Sequence, residues 1–296
     1  MSNSKTYQLG LIDAAKDIGQ LVKFKLSLMV VFSSVISYVI LAGNQFEWLG
    51  FSLLLCGGLF ITFSANAINQ VLEKDFDRMM QRTRLRPLAD QRMSSSTAVL
   101  IAGIFTVLGS ISLAMISPLC ATLGMGSLIL YAFIYTPLKR YSTLAIPVGA
   151  IPGALPVLVA GVAAQGTITL ESLSLFGIQY LWQFPHFWAI AWLGHDDYKS
   201  AGFKLIKDID GQPDPRYGFY SAQYSLLSIA VLLPLIMQNY FNPMILIALI
   251  GTILIYSWYG LRLFQKNDRQ TARALMFCSI IYLPVVLILM LINNSL

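Results

Sequence analysis

Nine stretches of about 20 mostly apolar residues recur along this chain, and a stretch of that length suits one structure above others: a helix that crosses a bilayer with its backbone bonds satisfied internally. They centre near residues 35, 58, 106, 127, 154, 181, 231, 253 and 282. Composition agrees, since 56% of the 296 residues are hydrophobic and 11% are charged, more apolar than a water-soluble core of this size requires. The expected fold is all-α: a polytopic membrane protein in the lipid bilayer, about nine transmembrane helices forming a single domain over residues 1–296. Pro118, Pro147, Pro152, Pro156 and Pro185 lie near or inside windows four to six, so kinks and breaks are expected there.

Charge placement supplies the sidedness. All 20 Lys and Arg fall in five places: Lys5 to Lys25, Lys74 to Arg92, Lys139 and Arg140, Lys199 to Arg216, and Arg262 to Arg273. Nine spans put these segments on one side, while the opposite connections GNQFE, SPL, AAQGTITLES and NYFNP carry no basic residue. The positive-inside rule then predicts a cell inner membrane protein with a cytoplasmic lead-in (1–25) and cytoplasmic loops at 71–95 and 195–218. The net charge of +6 belongs to that membrane face, and no nucleic-acid recognition module accompanies it. The lead-in is amphipathic and lacks the apolar core of a cleaved signal. Cys56, Cys120 and Cys278 stand singly, without ligand spacing, and are read as plain thiols.

The charges of NQVLEKDFDRMMQRTRLRPL (69–88) begin where an apolar run ends. Asn69, Glu73 and Asp77 follow at i, i+4 and i+8, stacking one amide and two carboxylates along one helical face, with Asp75 directed elsewhere. Arg82, Arg84 and Arg86 come next, and the Arg-Pro step at 86–87 favours an ended helix. Carboxylates attract Mg²⁺, which often bridges to phosphates, and arginine forks bind phosphate oxygens directly. The plainer account, solvated charges on a helix leaving the membrane, covers the arginines. It covers Asn69 and Glu73 less well, because polar groups at that depth need a cavity or a partner.

This stretch resembles the first acidic motif of the UbiA superfamily of intramembrane prenyltransferases, Asn-x-x-x-Asp-x-x-x-Asp followed by Arg-Thr-x-x-Arg-Pro-Leu. Glu73 departs from the commoner Asp, a variant familiar among haem-modifying members. A second stretch, YAFIYTPLKRYSTLAIPVGAIPGALPVLVAG (131–161), resembles the same superfamily's Tyr-x-Pro-x-Lys-Arg connection and the GALP segment of its haem-modifying branch. Lys139 and Arg140 add cationic donors at the end of an aromatic-rich span. Tyr131, Phe133 and Tyr135 suit either a prenyl tunnel or an ordinary aromatic belt. Gly149, Ala150, Gly153 and Ala154 permit close helix packing or leave room for a flat substrate.

The third stretch, LWQFPHFWAIAWLGHDDYKSAGFKL (181–205), holds His186 where quinone-type members carry a carboxylate, while Asp197, preceded by Asp196, keeps the last acid. WQxPHFWA followed by DDYxxAG resembles the protohaem IX farnesyltransferases within the superfamily. A lone histidine in an apolar helix is often a core residue, but aromatic surfaces beside a neutral imidazole also suit a porphyrin. The resemblance implies a central cavity opening to the cytoplasm and transfer of farnesyl from farnesyl diphosphate to haem B. It implies Mg²⁺ on Asn69, Glu73, Asp77 and Asp197, with Asp196 a further candidate. Arg82, Arg86, Lys139 and Arg140 are then read as diphosphate ligands, and His186 as serving the haem. Tyr135, Trp182, Gln183 and Trp188 are read as haem or prenyl contacts. Association with other haem-pathway or oxidase-assembly proteins is a further implication. His195, in a polar loop, is read as solvated or supporting. Residues 195–218 are expected to cap the site. Two rivals stay open: a quinone-precursor prenyltransferase of the same superfamily, and a polytopic transporter or channel.

Overall fold

The computed structural model of this chain describes residues 10–295; residues 1–9 of the lead-in, Lys5 among them, lie outside the described residues, as does Leu296. The described chain is almost wholly helical. A short amphipathic α1 (Leu11–Leu21) precedes α2 (Phe24–Ala42), α3 (Trp48–Asp77), α4 (Ser95–Ala114) and α5 (Pro118–Ile129). The last of these continues through a π-helical turn, Leu130–Tyr135, into α6 (Thr136–Leu138). Then come α7 (Ala145–Gln165), α8 (Leu170–Leu193), α9 (His195–Ser200), α10 (Arg216–Met237), α11 (Pro243–Lys266) and α12 (Arg269–Ser295). One minimal hairpin, β1 (Asp208–Ile209) against antiparallel β2 (Gln212–Pro213), interrupts the α9–α10 connection.

Several helix starts are written locally. Ser94 caps α4 by accepting from the Thr97 N–H, Ser117 caps α5 with Pro118 just inside, and Thr169 and Ser172 form a reciprocal capping box on α8. Eight of the helical segments are both long and apolar enough to cross a membrane. The sixth expected span, α8, matches them in length at 24 residues, but Gln179, Gln183, Pro185 and His186 dilute its apolarity. Exposed Val99, Leu100, Ile104, Val107 and Ile111 cover one face of α4, an apolar surface that lipid accepts and water would not.

Proline acts less uniformly than its positions suggest. Span four widens into a π turn before Pro137 without breaking, whereas α7 runs as regular helix through Pro152 and Pro156, and α8 through Pro185. Pro156 cannot donate to the carbonyl of Pro152. Ser127 Oγ donates to that carbonyl at 3.0 Å and so restores the lost bond.

Helix α7 is the innermost span, packed against α2, α5 and α8; α8 in turn packs against α10 and α12, and α12 returns to α2. Its small residues let neighbours in. A methyl group on Gly149 would meet the Tyr135 ring at 2.5 Å, and one on Gly153 would meet Gln183 Oε1 at 1.9 Å. These glycines therefore seat protein side chains, deciding between the two readings of the small-residue run in favour of packing. Hydrogen bonds tie the connections at each end: Trp192 to Asn267 and Asn267 to the Pro213 carbonyl at one, Asn242 and Tyr240 to Asn293 at the other.

Candidate active site

At 30 residues α3 is about 45 Å long, roughly 15 Å more than a hydrocarbon core requires, so its final turns run on past the apolar stretch. Those turns carry Asn69, Glu73 and Asp77, which are nonetheless only 1%, 4% and 1% exposed. Buried carboxylates need partners, and each finds one from a different part of the chain.

Glu73 Oε1 accepts from Lys139 Nζ at 2.7 Å, and Glu73 Oε2 accepts from Asn69 Nδ2 at 3.0 Å. The longer glutamate arm thus reaches both neighbours. Both Asp77 oxygens accept from Arg86 Nη1 at 2.8 Å. Arg86 arrives there because the segment after α3 folds back: Thr83 Oγ1 donates to the Asp77 carbonyl at 3.0 Å, Arg78 Nε donates to the Ala89 carbonyl at 2.9 Å, and Leu88 is buried against Leu21 and Ala67. Arg92 bonds the Asp17 carboxylate, joining the same fold-back to α1.

Two members of this cluster are absent from the sequence reading. Lys23 Nζ donates to Asn69 Oδ1 at 2.9 Å, and Asn69 Nδ2 also donates to Thr136 Oγ1 at 3.0 Å. Lys23 lies between α1 and α2 with φ 48°, a left-handed conformation uncommon outside glycine and asparagine. That turn aims its side chain at the acids. Burial, with Arg86 and Lys139 alongside, pulls the Lys23 ammonium down to about 7 against the opposing pull of Glu73 and Asp77. The sequence signal was its place: a lysine at the head of the first span, where a charge must find a partner. Thr136 carried a weaker one, as the hydroxyl inside Tyr-Thr-Pro-Leu-Lys-Arg.

Lys139 is buried, and burial alone would lower its pKa; the Glu73 carboxylate, Tyr131 and Tyr198 together outweigh this and hold it above the ordinary lysine value. Its ammonium also lies 4.6 Å from the centre of the Tyr135 ring. Arg82 Nη2 donates to Tyr198 Oη at 2.8 Å. Burial opposes the Arg82 charge, but the Tyr198 hydroxyl, Asp197 and Asp77 more than compensate and raise its pKa. Arg82 therefore links the α3 acids to the aspartate of the third motif.

Other expected site residues go elsewhere. Arg140 stacks 3.7 Å above the Phe76 ring and reaches the Leu72 carbonyl, on a different side of α6 from Lys139, so it touches none of the ladder oxygens. The Asp196 side chain is fully exposed. His186 Nδ1 lies 2.7 Å from Ser279 Oγ on α12, and its ring stacks on Trp182, whose Nε1 donates to the Ser279 carbonyl. This pair faces α12. Gln183 is held by the carbonyls of Ala150 and Gln179, and Trp188 is buried among Phe184, Tyr217 and Tyr224. Both therefore serve helix packing in place of an open surface. His195, read as solvated or supporting, is buried, with its ring nitrogens 3.5 Å from Asp196 and 3.3 Å from Asp208.

The amide and carboxylate oxygens of Asn69, Glu73 and Asp77 form a hard-oxygen donor set of the kind Mg²⁺ takes. Lys23, Lys139 and Arg86 partner these oxygens, so the donor type fits a divalent metal that takes the place of those cations. Acids and basic groups in this mixture can together hold a metal-complexed diphosphate.

A model of the UbiA prenyltransferase family matches residues 30–281. The chain belongs to the UbiA prenyltransferase family. Within it, the protohaem IX farnesyltransferase of Cytophaga hutchinsonii is 40% identical over 273 residues, covering 90% of this chain and 93% of that one. Among solved structures, digeranylgeranylglyceryl phosphate synthase superposes with a TM-score of 0.77 at 16% identity, covering 95% of this chain and 98% of that one. A UbiA homologue from Archaeoglobus fulgidus bound to DMAPP and Mg²⁺ gives 0.69 at 15% identity, covering 93% and 99%. At these identities the structures establish the UbiA fold: a multi-pass, all-α membrane protein.

Proposed function

We propose that this UbiA-family protein is a protohaem IX farnesyltransferase, which joins the farnesyl group of farnesyl diphosphate to a vinyl group of haem B, adds water and releases haem O and diphosphate. The observation that carries the reaction class is the buried convergence of Asn69, Glu73 and Asp77 with Lys23, Arg86 and Lys139. The choice of acceptor rests on the 40% identical relative and on WQFPHFWA in the place of a second acidic motif.

Mg²⁺, when bound by Asn69, Glu73 and Asp77 with Asp197 nearby, supplies positive charge that stabilises the departing diphosphate. The protein's own groups do the rest. Lys23, Lys139 and Arg86, which neutralise the ladder oxygens, also supply the donors for the diphosphate oxygens, and Arg82 joins them from the Tyr198 side. The bond between farnesyl C1 and its oxygen breaks, and its electron pair leaves with the diphosphate. The vinyl π pair then bonds its terminal carbon to C1. Water captures the positive charge left beside the porphyrin ring and gives up a proton. Tyr135, whose ring faces Lys139, is the aromatic surface assigned to stabilise the allylic cation. His186 serves the haem from the α12 side. The one-sided lysines and arginines support a cytoplasmic position for this site at the inner membrane.

The test is purified membranes supplied with farnesyl diphosphate, Mg²⁺ and either haem B or 4-hydroxybenzoate, with products read by mass. Haem O from wild type, lost in Asp77→Ala, supports the proposal. Turnover of the benzoate alone would make the chain a quinone-precursor enzyme.

A further inference from the structure

A cavity of about 550 Å³ lies between the α6–α7 connection and the α8–α10 connection, and no step above uses it. Its size suits an organic molecule. Its walls are apolar and aromatic, with Tyr141, Tyr198, Phe203 and Leu205, while Lys199, Lys204 and Lys207 lie along it. Asp208 is its one acid, and Lys199 already bonds that carboxylate at 2.7 Å. The Lys204 and Lys207 ammonium groups have no carboxylate within salt-bridge distance among the described residues, and both residues are exposed. Two uncommitted cations beside a flat-walled slot suit an amphipathic anion.

The cavity adjoins the diphosphate site. Tyr198, in its wall, accepts the Arg82 hydrogen bond, and Phe203, also in its wall, lies 5.9 Å from Lys139 Nζ. The Lys204 N–H donates to the Lys139 carbonyl, pinning the lysine-bearing loop to the residue that pairs with Glu73. The loop is built in: Phe203 and Leu205 are buried, and Lys207 N–H donates to Tyr217 Oη at 3.0 Å.

We infer that this cavity is the carboxylate-binding subsite for the acceptor, with Lys204 and Lys207 holding the two propionate carboxylates of haem B. The assignment rests on the acceptor proposed above. Haem carries its carboxylates along one edge and its vinyl groups away from them, so anchorage here leaves the reactive edge free to face the neighbouring diphosphate site. Lys204 and Lys207 therefore act as specificity-determining residues that touch the acceptor away from the reacting carbon.

Steady-state kinetics on the full-length protein in detergent micelles, with haem B and with its dimethyl ester, provides the test. In Lys204→Met/Lys207→Met, KM for haem B should rise roughly fivefold to tenfold, the increment expected for two exposed ion pairs. KM for the ester, kcat, and KM for farnesyl diphosphate should stay at wild-type values. Lys204→Arg/Lys207→Arg should restore the wild-type KM for haem B. An unchanged KM for haem B, or an equal rise with acid and ester, would overturn the assignment. So would a raised KM for farnesyl diphosphate or weakened inhibition by diphosphate, which would make the cavity a diphosphate exit. Failure of the wild type to convert haem B at all would instead strike the acceptor proposal, before any variant is compared.

Discussion

Lys139→Met removes the ammonium that neutralises Glu73 while keeping most of the side-chain volume. The pair is short, at 2.7 Å, with Lys139 8% and Glu73 4% exposed, so little water can replace the lost charge. Breaking such a pair from one side costs about 3–5 kcal/mol, chiefly because the remaining charge stays buried alone. The site lies near the membrane edge, which favours the lower end, about 3 kcal/mol. Glu73→Gln/Lys139→Met removes both charges and leaves Asn69 a neutral acceptor, so the double variant should regain about 2 kcal/mol relative to the sum of the single variants. Reversible unfolding in mixed SDS micelles, run as a double-mutant cycle, measures this coupling. A coupling under about 0.5 kcal/mol, the level of an exposed pair, would refute the claim that the ladder is a buried and mutually neutralised network.

Three further outcomes follow from the same geometry. Arg86→Lys keeps the charge but loses the guanidinium bonding to Asp77, so kcat/KM for farnesyl diphosphate should fall about 10- to 100-fold in steady-state assays, as losing a charge-assisted hydrogen bond implies. Gly153→Ala puts a methyl group where Gln183 Oε1 lies and should displace that side chain from the Ala150 and Gln179 carbonyls. A loss of about 1–3 kcal/mol in the same unfolding assay is expected. Ser279→Ala leaves His186 Nδ1 without its recorded partner and should reduce stability by about 1 kcal/mol. KM for haem B should rise more than KM for farnesyl diphosphate in the same steady-state assay.

Much of this architecture was legible because bilayer physics acts on local sequence. Length and apolarity locate the spans. The ladder was legible for the same reason: Asn69, Glu73 and Asp77 share one helix, so spacing alone puts them on one face. Membrane hydropathy falters only at α8, whose Gln183 bonds to α7 and whose His186 bonds to α12 within the bundle. What remained hidden depends on distant chain segments. Lys23 joins the cluster through a left-handed turn before α2, and Thr136 joins through the packing of α6 against α3. Arg140 and Lys139 are adjacent in sequence yet take opposite partners, because successive residues at a helix end point about 100° apart. The polar neighbours of His195 left solvated and supporting roles open, and the approach of distant Asp208 to its ring could not be read from them. Gly149 and Gly153 were ambiguous until the side chains that fill them were known.

The most direct test of the proposed chemistry is a single turnover of the purified protein with farnesyl diphosphate and haem B in ¹⁸O-labelled water, followed by mass analysis of both products. Cleavage at the C1–oxygen bond with water capture beside the porphyrin predicts one labelled oxygen in the hydroxyethylfarnesyl group and none in the diphosphate. Label in the diphosphate, or a farnesylated haem without label, would contradict it.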